Sequence, residues 1–170
     1  MKRHKGLVVF ASVVVGLLLI DILSKFFTDG VSNVTIIPKV VSFDSHYNTG
    51  IAWGWLSNRG VWLIVMISLL TVGAVAAWWF LGRKKVFGNV AFAFFIAGAV
   101  GNLYDRIAHG HVRDFIVLDF WPNFAIFNFA DICLSIGTVL LIIYFIFFTR
   151  HCEEQRDKAI PRTERGTHET

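Results

Sequence analysis

Charged residues are scarce in this chain. Only 16% of its 170 residues are Asp, Glu, Lys or Arg, against about a quarter in a soluble globular domain. Cysteine is scarcer still, with Cys133 and Cys152 alone. Neither lies in a CxxC or a Cys/His ligand spacing, so no disulfide framework and no metal site is expected. There is also no GxSxG, no HExxH and no Walker loop, which removes the common serine-hydrolase, zinc-protease and nucleotide-binding signatures. Ser24 adjoins Lys25, but neighbours on a helix point to different faces, so a Ser/Lys dyad is a weak reading. His46, His109 and His111 are too scattered to argue for a metal. The chain holds no internal repeat and no low-complexity tract.

Apolar residues fill the space left by charge. They make up 55% of the chain, with a mean hydropathy of +0.61, and they gather in long blocks. About 20 apolar residues span a bilayer. Four blocks reach that length: about 7–27, 61–81, 86–107 and 125–148. The expected fold is therefore an all-α membrane protein, a four-transmembrane-helix bundle forming one domain over residues 1–150. Residues 151–170 mix acids and bases and are expected to form a polar, mobile cytoplasmic tail. The start, KRHKGLVVFASVVVGLLLI, imitates a signal peptide. It lacks a small-x-small cleavage site before Asp21 and its apolar run is long, so it is expected to be a retained first span.

The formal net charge is +4, and its placement orients the bundle. Lys2, Arg3 and Lys5 precede the first block, Arg83, Lys84 and Lys85 separate the second and third, and Arg150, Arg156, Lys158, Arg162 and Arg165 follow the fourth. The positive-inside rule puts both termini and the 83–85 loop in the cytoplasm, and the segments 28–60 and 108–124 outside. Every basic cluster abuts a span, which argues against nucleic acid as a partner. Between the first two blocks, NVTIIPKVVSFDSHYNTGIAWGWL is rich in β-formers and partly alternating. It predicts a small outer-face β element at about 33–57, broken near Pro38 and Gly50. Such short strands need the helices or the lipid surface beneath them. Trp53, Trp55, Trp62 and Trp121 fit an aromatic belt at the outer interface.

Against this background Asp114 and Asp131 stand out, in VRDF and FNFAD. A charge at bilayer depth costs roughly 2.5–3.5 kcal/mol on insertion scales, so such residues are functional candidates. Two carboxylates at close range cannot both ionise easily. One keeps a proton while the other acts as a base, which is the equipment needed to activate water and protonate a leaving amine. The bland alternative, helix caps or partners of Arg106 and Arg113, is the commoner case for an arbitrary membrane protein. In block three, Gly98, Asn102 and Asp105 share one helical face, where a small residue permits close approach and polar groups face protein. Asp105 and Arg106 point apart and need other partners. Asn128 and Asp131 either share a helical face, or Asn128 is the N-cap with Asp131 at the third helical position, which favours an anion. Asp21 and Lys25 form an i, i+4 pair in the favourable order, read as structural support. Asn48 is read as a turn residue or as a donor to a peptide.

Five segments in this order resemble the lipoprotein signal peptidases, also called signal peptidase II. They are DxxSK (Asp21 to Lys25), NTGIAW (Asn48 to Trp53), AGAVGNLYDR (Ala97 to Arg106), GHVRDF (Gly110 to Phe115) and FNFAD (Phe127 to Asp131). Each alone is weak; together with four spans they are specific over roughly residues 15–140. The resemblance implies an aspartic endopeptidase of the bacterial plasma membrane, with Asp114 and Asp131 as the catalytic dyad. It assigns substrate positioning or dyad support to Asn48, Gly101, Asn102, Arg106, Asn128 and Ala130, and structural support to Asp21, Lys25 and Asp105. It implies diacylglyceryl-modified prolipoproteins as substrates, cut just before the lipidated Cys, with membrane lipids as the other partners and no metal or organic cofactor. A monomer is expected. The chain departs from the family pattern at Ala97, where a glycine is common, and at Ile51, where alanine is common; the bulkier Ile51 would narrow a cleft slightly. If Asp131 begins helix four, its end of the helix dipole stabilises an anion and Asp114 is expected to hold the shared proton. A proton-coupled carrier relaying through Asp105, Asp114 and Asp131 would instead spread its acids through the bilayer depth. A structural membrane subunit would need neither GNLYDR nor FNFAD.

Overall fold

Runs of Leu, Val, Ile and Phe, free of proline and with at most two Asp, Glu, Lys or Arg residues in each, form four helices long and apolar enough to cross a membrane. The computed structural model describes residues 2–50, 60–83, 85–121 and 123–159. Helix α1 spans Lys2–Thr28. Strands β1 (Val34–Ile37) and β2 (Val41–Asn48) follow. Helix α2 covers Gly60–Ala77 and widens into a π-helical turn at Trp78–Gly82. Helix α3 is Val86–His109, β3 is Val112–Leu118 and α4 is Phe129–Ala159. The membrane-length portions are Gly6–Thr28, Gly60–Gly82, Val86–His109 and Phe129–Phe147.

Helix α3 is the axis of the bundle. Its span is 61% buried, whereas those of α1 and α2 are each 11% buried, and it packs against α1, α2 and α4. Small residues make this possible. A Cβ on Gly98 would strike the Ala130 carbonyl and Leu134, and one on Gly101 would lie 2.6 Å from Asp21 Oδ2. The first turn of α4 thus rests directly on α3. The outward faces of α1, α2 and α4 carry bare apolar side chains such as Val15, Leu69 and Phe147, as lipid-facing helices do. Trp78, Phe92, Ile96 and Tyr144 form the apolar core toward the basic end.

The sheet is antiparallel in the order β1-β2-β3. A turn at Pro38–Val40, with Lys39 at φ +62°, reverses the chain between β1 and β2. Strand β2 pairs with β3 so that His46 faces Asp114 and Asn48 faces Val112, with an irregularity between Phe43 and His46. Three features differ from the sequence reading. The sheet has a third strand, drawn from between α3 and α4, because VRDFIVL finds its partner on the distant β2. The fourth span also starts later than residue 125. Phe127 forms a β-bridge with Ile116, and the helix begins only at Phe129; a short apolar run does not reveal whether it is strand or helix. Helix α4 also continues to Ala159, so residues 151–159 of the expected mobile tail are helical, consistent with their Glu, Gln, Arg, Lys and Ala content. Ile51, Trp53, Gly54, Trp55, Lys84 and residues 160–170 lie outside the described residues. Trp62 and Trp121 are both exposed.

Candidate active site

Three local structures bring distant polar residues to one place. The first is the end of α3. Gly110, at φ +77°, caps the helix and donates its N–H to the Arg106 carbonyl at 3.1 Å, as a left-handed C-terminal glycine does. The chain then turns straight into β3, which carries Asp114. The second is the strap before α4. Phe127 accepts from the N–H groups of Phe115 and Ile116 at 3.0 and 2.8 Å and returns one bond to the Ile116 carbonyl at 3.2 Å. That pins the start of α4 beside β3. The third is the first turn of α4 itself. Asn128 Oδ1 accepts from the Asp131 N–H at 3.1 Å, while Asp131 Oδ2 accepts from the Asn128 N–H at 3.1 Å. This reciprocal box makes Asn128 the N-cap and Asp131 the third helical residue, so of the two readings left open by the sequence the capping one holds.

Asn128 joins the two carboxyl groups. Its side-chain amide, fully buried, donates to Asp114 Oδ1 at 2.6 Å and to Asn102 Oδ1 at 3.1 Å. Asn102 in turn donates to Asp131 Oδ1 at 2.7 Å. Asn48, at the end of β2, donates to the remaining oxygen, Asp114 Oδ2, at 2.9 Å. Its own Oδ1 accepts from the Gly50 N–H at 2.9 Å, so Asn48 is a turn residue whose amide donates to Asp114 rather than being left free for a peptide. Each amide group here is used on both its N and O sides, which fixes its orientation. Asp114 is 3% exposed. Burial pushes its carboxyl up to about 6, aided by the neighbouring Asp131 charge and opposed by the Asn48 and Asn128 donors.

A buried ion cluster stands behind this site. Lys25 Nζ lies 2.8 Å from Asp21 Oδ2 and 3.2 Å from Asp105 Oδ2, with its side chain fully enclosed. Asp21 Oδ1 accepts the Ala130 N–H at 3.0 Å, which ties α1 to the first turn of α4. Asp105 accepts the Arg113 N–H at 3.3 Å and its guanidinium at 3.4 Å, which ties α3 to the residue before Asp114. The cluster thus braces both carboxyl-bearing segments. Arg106 donates to the Gly50 carbonyl at 2.7 Å and to the Asn102 carbonyl at 3.2 Å, so Asp105 and Arg106 do have separate partners. The Arg106 Nε is buried without a hydrogen-bond partner among the described residues.

These groups open on a cavity of about 620 Å³. Asn48, Asn102, Arg106, Asp114 and Asp131 form its polar floor, and Ile67 and Leu70 of α2 face Ile132 and Ile136 of α4 across it. Helices α2 and α4 both pack on α3, yet among the described residues they make no comparable contact with each other. All eleven residues singled out from the sequence therefore lie at this site or directly behind it. Sequence reasoning missed Phe127 as the strap, the α2 wall at Ile67 and Leu70, the Gly50 carbonyl, and Asp105 as the second partner of Lys25. The Asn48-x-Gly50 spacing was the one available signal for the turn.

Comparison with known proteins identifies the family and the fold. The family model described as signal peptidase (SPase) II matches residues 13–147. A lipoprotein signal peptidase of Pseudomonas fluorescens strain Pf0-1 is 39% identical over 137 residues, covering 74% of this chain and 80% of that protein. One from Staphylococcus carnosus is 39% identical over 121 residues, covering 68% and 74%. A solved structure described as a bacterial membrane enzyme superposes with a TM-score of 0.76 at 30% identity, covering 82% of this chain and 88% of that one.

Proposed function

The chain belongs to the signal peptidase II family, and from that premise we propose that this multi-pass membrane peptidase removes signal peptides from diacylglyceryl-modified prolipoproteins by aspartic catalysis at Asp114 and Asp131. The cut falls just before the lipidated Cys. The observation that carries this reading is the pair of carboxyl groups joined through Asn128 on the floor of an otherwise apolar cavity.

Asp131 acts as the base. It lies in the first turn of α4, where the helix end and the Asn128 N–H stabilise an anion, and it takes a proton from water as the oxygen attacks the scissile carbonyl carbon. Asp114, the carboxyl group that burial keeps protonated up to about pH 6, donates to the carbonyl oxygen. The resulting tetrahedral intermediate collapses: the C–N bond breaks, the proton held by Asp131 passes to the leaving Cys nitrogen, and a hydroxyl proton of the intermediate returns to Asp114 as the carbonyl re-forms. The unpaired Arg106 Nε–H supplies a donor for a substrate backbone carbonyl. Asn48, Asn102 and Asn128 hold the two carboxyl groups in place. Gly101 and Ala130 keep the backbones of α3 and α4 close. The Asp21–Lys25–Asp105 cluster positions the segments that carry the dyad.

The gap between α2 and α4 supports lateral entry of the signal helix from the bilayer, with the acyl chains left in lipid. The positive-inside rule supports a cytoplasmic position for both termini and a site near the outer face. The enzyme works as a monomer. Clustering of the acids at one end of the bundle disfavours a carrier, which would distribute them along a path. Mass spectrometry of the products tests the substrate assignment. A lipidated Cys at the new amino terminus supports it. Equal cleavage of the unlipidated precursor, or a cut elsewhere, contradicts it.

A further inference from the structure

At the opposite end of the bundle from the carboxyl groups, a second cavity of about 350 Å³ is lined by Lys85, Phe87, Ile143, Tyr144 and Phe147. It lies between the start of α3 and the end of the α4 span, where a bilayer crossed by these helices would pass from acyl chains to headgroups. Hydrogen bonds hold the described residues of the loop beside it. Asn89, 1% exposed, accepts from Trp78 Nε1 at 2.8 Å and donates to the Lys85 carbonyl at 2.9 Å and the Arg83 carbonyl at 3.4 Å. Tyr144 Oη donates to the Leu81 carbonyl at 2.8 Å. The Arg83 guanidinium stacks over Trp79 at 4.2 Å, which holds a second cation two residues before Lys85 in sequence. A Cβ on Gly6 would lie 2.8 Å from the Arg83 carbonyl, so the start of α1, preceded in sequence by Lys2, Arg3 and Lys5, packs against the same loop.

We infer that this groove is a binding site for one anionic phospholipid, with an acyl chain against Phe87, Tyr144 and Phe147 and the phosphate against Lys85 and Arg83. Charge complementarity decides the occupant. A zwitterionic lipid would fill the apolar wall equally well, but only a net negative headgroup gains from Lys85 on the lining and from Arg83 just before it in sequence. Each basic side chain beside an anionic headgroup favours it by roughly fivefold, so two should give at least about a tenfold preference.

The test is native mass spectrometry of the purified full chain in detergent, titrated with phosphatidylglycerol or with phosphatidylcholine of the same chains. The expected result is tighter binding of one phosphatidylglycerol by about tenfold or more, with the ratio falling close to one in the double variant Arg83→Gln/Lys85→Gln. Lys39→Gln, which removes a charge from the β1–β2 turn, should leave the ratio unchanged. Phe87→Ser should weaken both lipids alike. Unchanged thermal melting shows that these surface variants are folded. Equal binding of the two lipids, a ratio unmoved by the double variant, or full displacement by free glycerol phosphate at equal concentration would overturn the proposal.

Discussion

Replacing Asn48 by Ala perturbs Asp114 in a direction that can be worked out. Asn48 Nδ2 donates to Asp114 Oδ2 at 2.9 Å. That bond is the largest influence holding the carboxyl down against burial, which raises it to about 6. A hydrogen bond to a charged group is worth about 1.5–3 kcal/mol, and about 1.4 kcal/mol corresponds to one pKa unit. Water entering the vacated space returns part of this, leaving a rise of about one unit. On the proposed mechanism the protonated form of Asp114 is the working acid, so kcat/KM should fall as pH rises through the free-enzyme value. The wild-type limb should lie near 6, and the Asn48→Ala limb about one unit more alkaline. The assay is the initial rate of cleavage of a fluorogenic lipopeptide, well below KM, across that pH range. If Asn48 only builds the turn with Gly50, the variant lowers the plateau and leaves the limb in place. A limb that stays or moves acid-ward refutes the reasoning.

Three further outcomes follow from the same geometry. The native Asp114 carboxyl binds its proton more tightly than the usual value of 3.8 allows, so its contribution to stability is complete below about pH 3.8 and lost as pH rises through about 6. Asp114→Asn should therefore gain on wild type in thermal melting between those pH values, by at most about 3 kcal/mol, and a constant gap would contradict the burial of that charge. Lys25→Met leaves Asp21 buried without its cation and Asp105 with Arg113, at a cost of about 3–5 kcal/mol; adding Asp21→Asn should restore much of the lost melting temperature. Gly101→Ala places a methyl group 2.6 Å from Asp21 Oδ2 and should destabilise by about 1–3 kcal/mol, with activity falling as α4 is pushed from α3.

The spans were legible because hydropathy acts on long windows, and the polar residues were legible because a charge in an apolar chain needs a reason. What escaped depended on contacts between distant segments. The Asp21–Lys25 pair is written in an i, i+4 spacing, but Asp105, the third member, comes from another helix. Strand β3 has its hydrogen-bonding partner on β2, with α2 and α3 intervening, and nothing within VRDFIVL announces that pairing. The role of Asn128 required backbone geometry, since its spacing from Asp131 suits a helical face and a cap equally. Phe127 is one aromatic among 17 phenylalanines, and only the bridge to Ile116 distinguishes it.

The central claim is that Asp114 and Asp131 together activate water, and single-residue variants assayed on a diacylglyceryl-modified prolipoprotein in detergent test it most directly. Wild type should cut, while Asp114→Asn and Asp131→Asn, each folded by thermal melting, should each lose about 10³-fold or more in kcat. Turnover near the wild-type rate by either variant would contradict the claim.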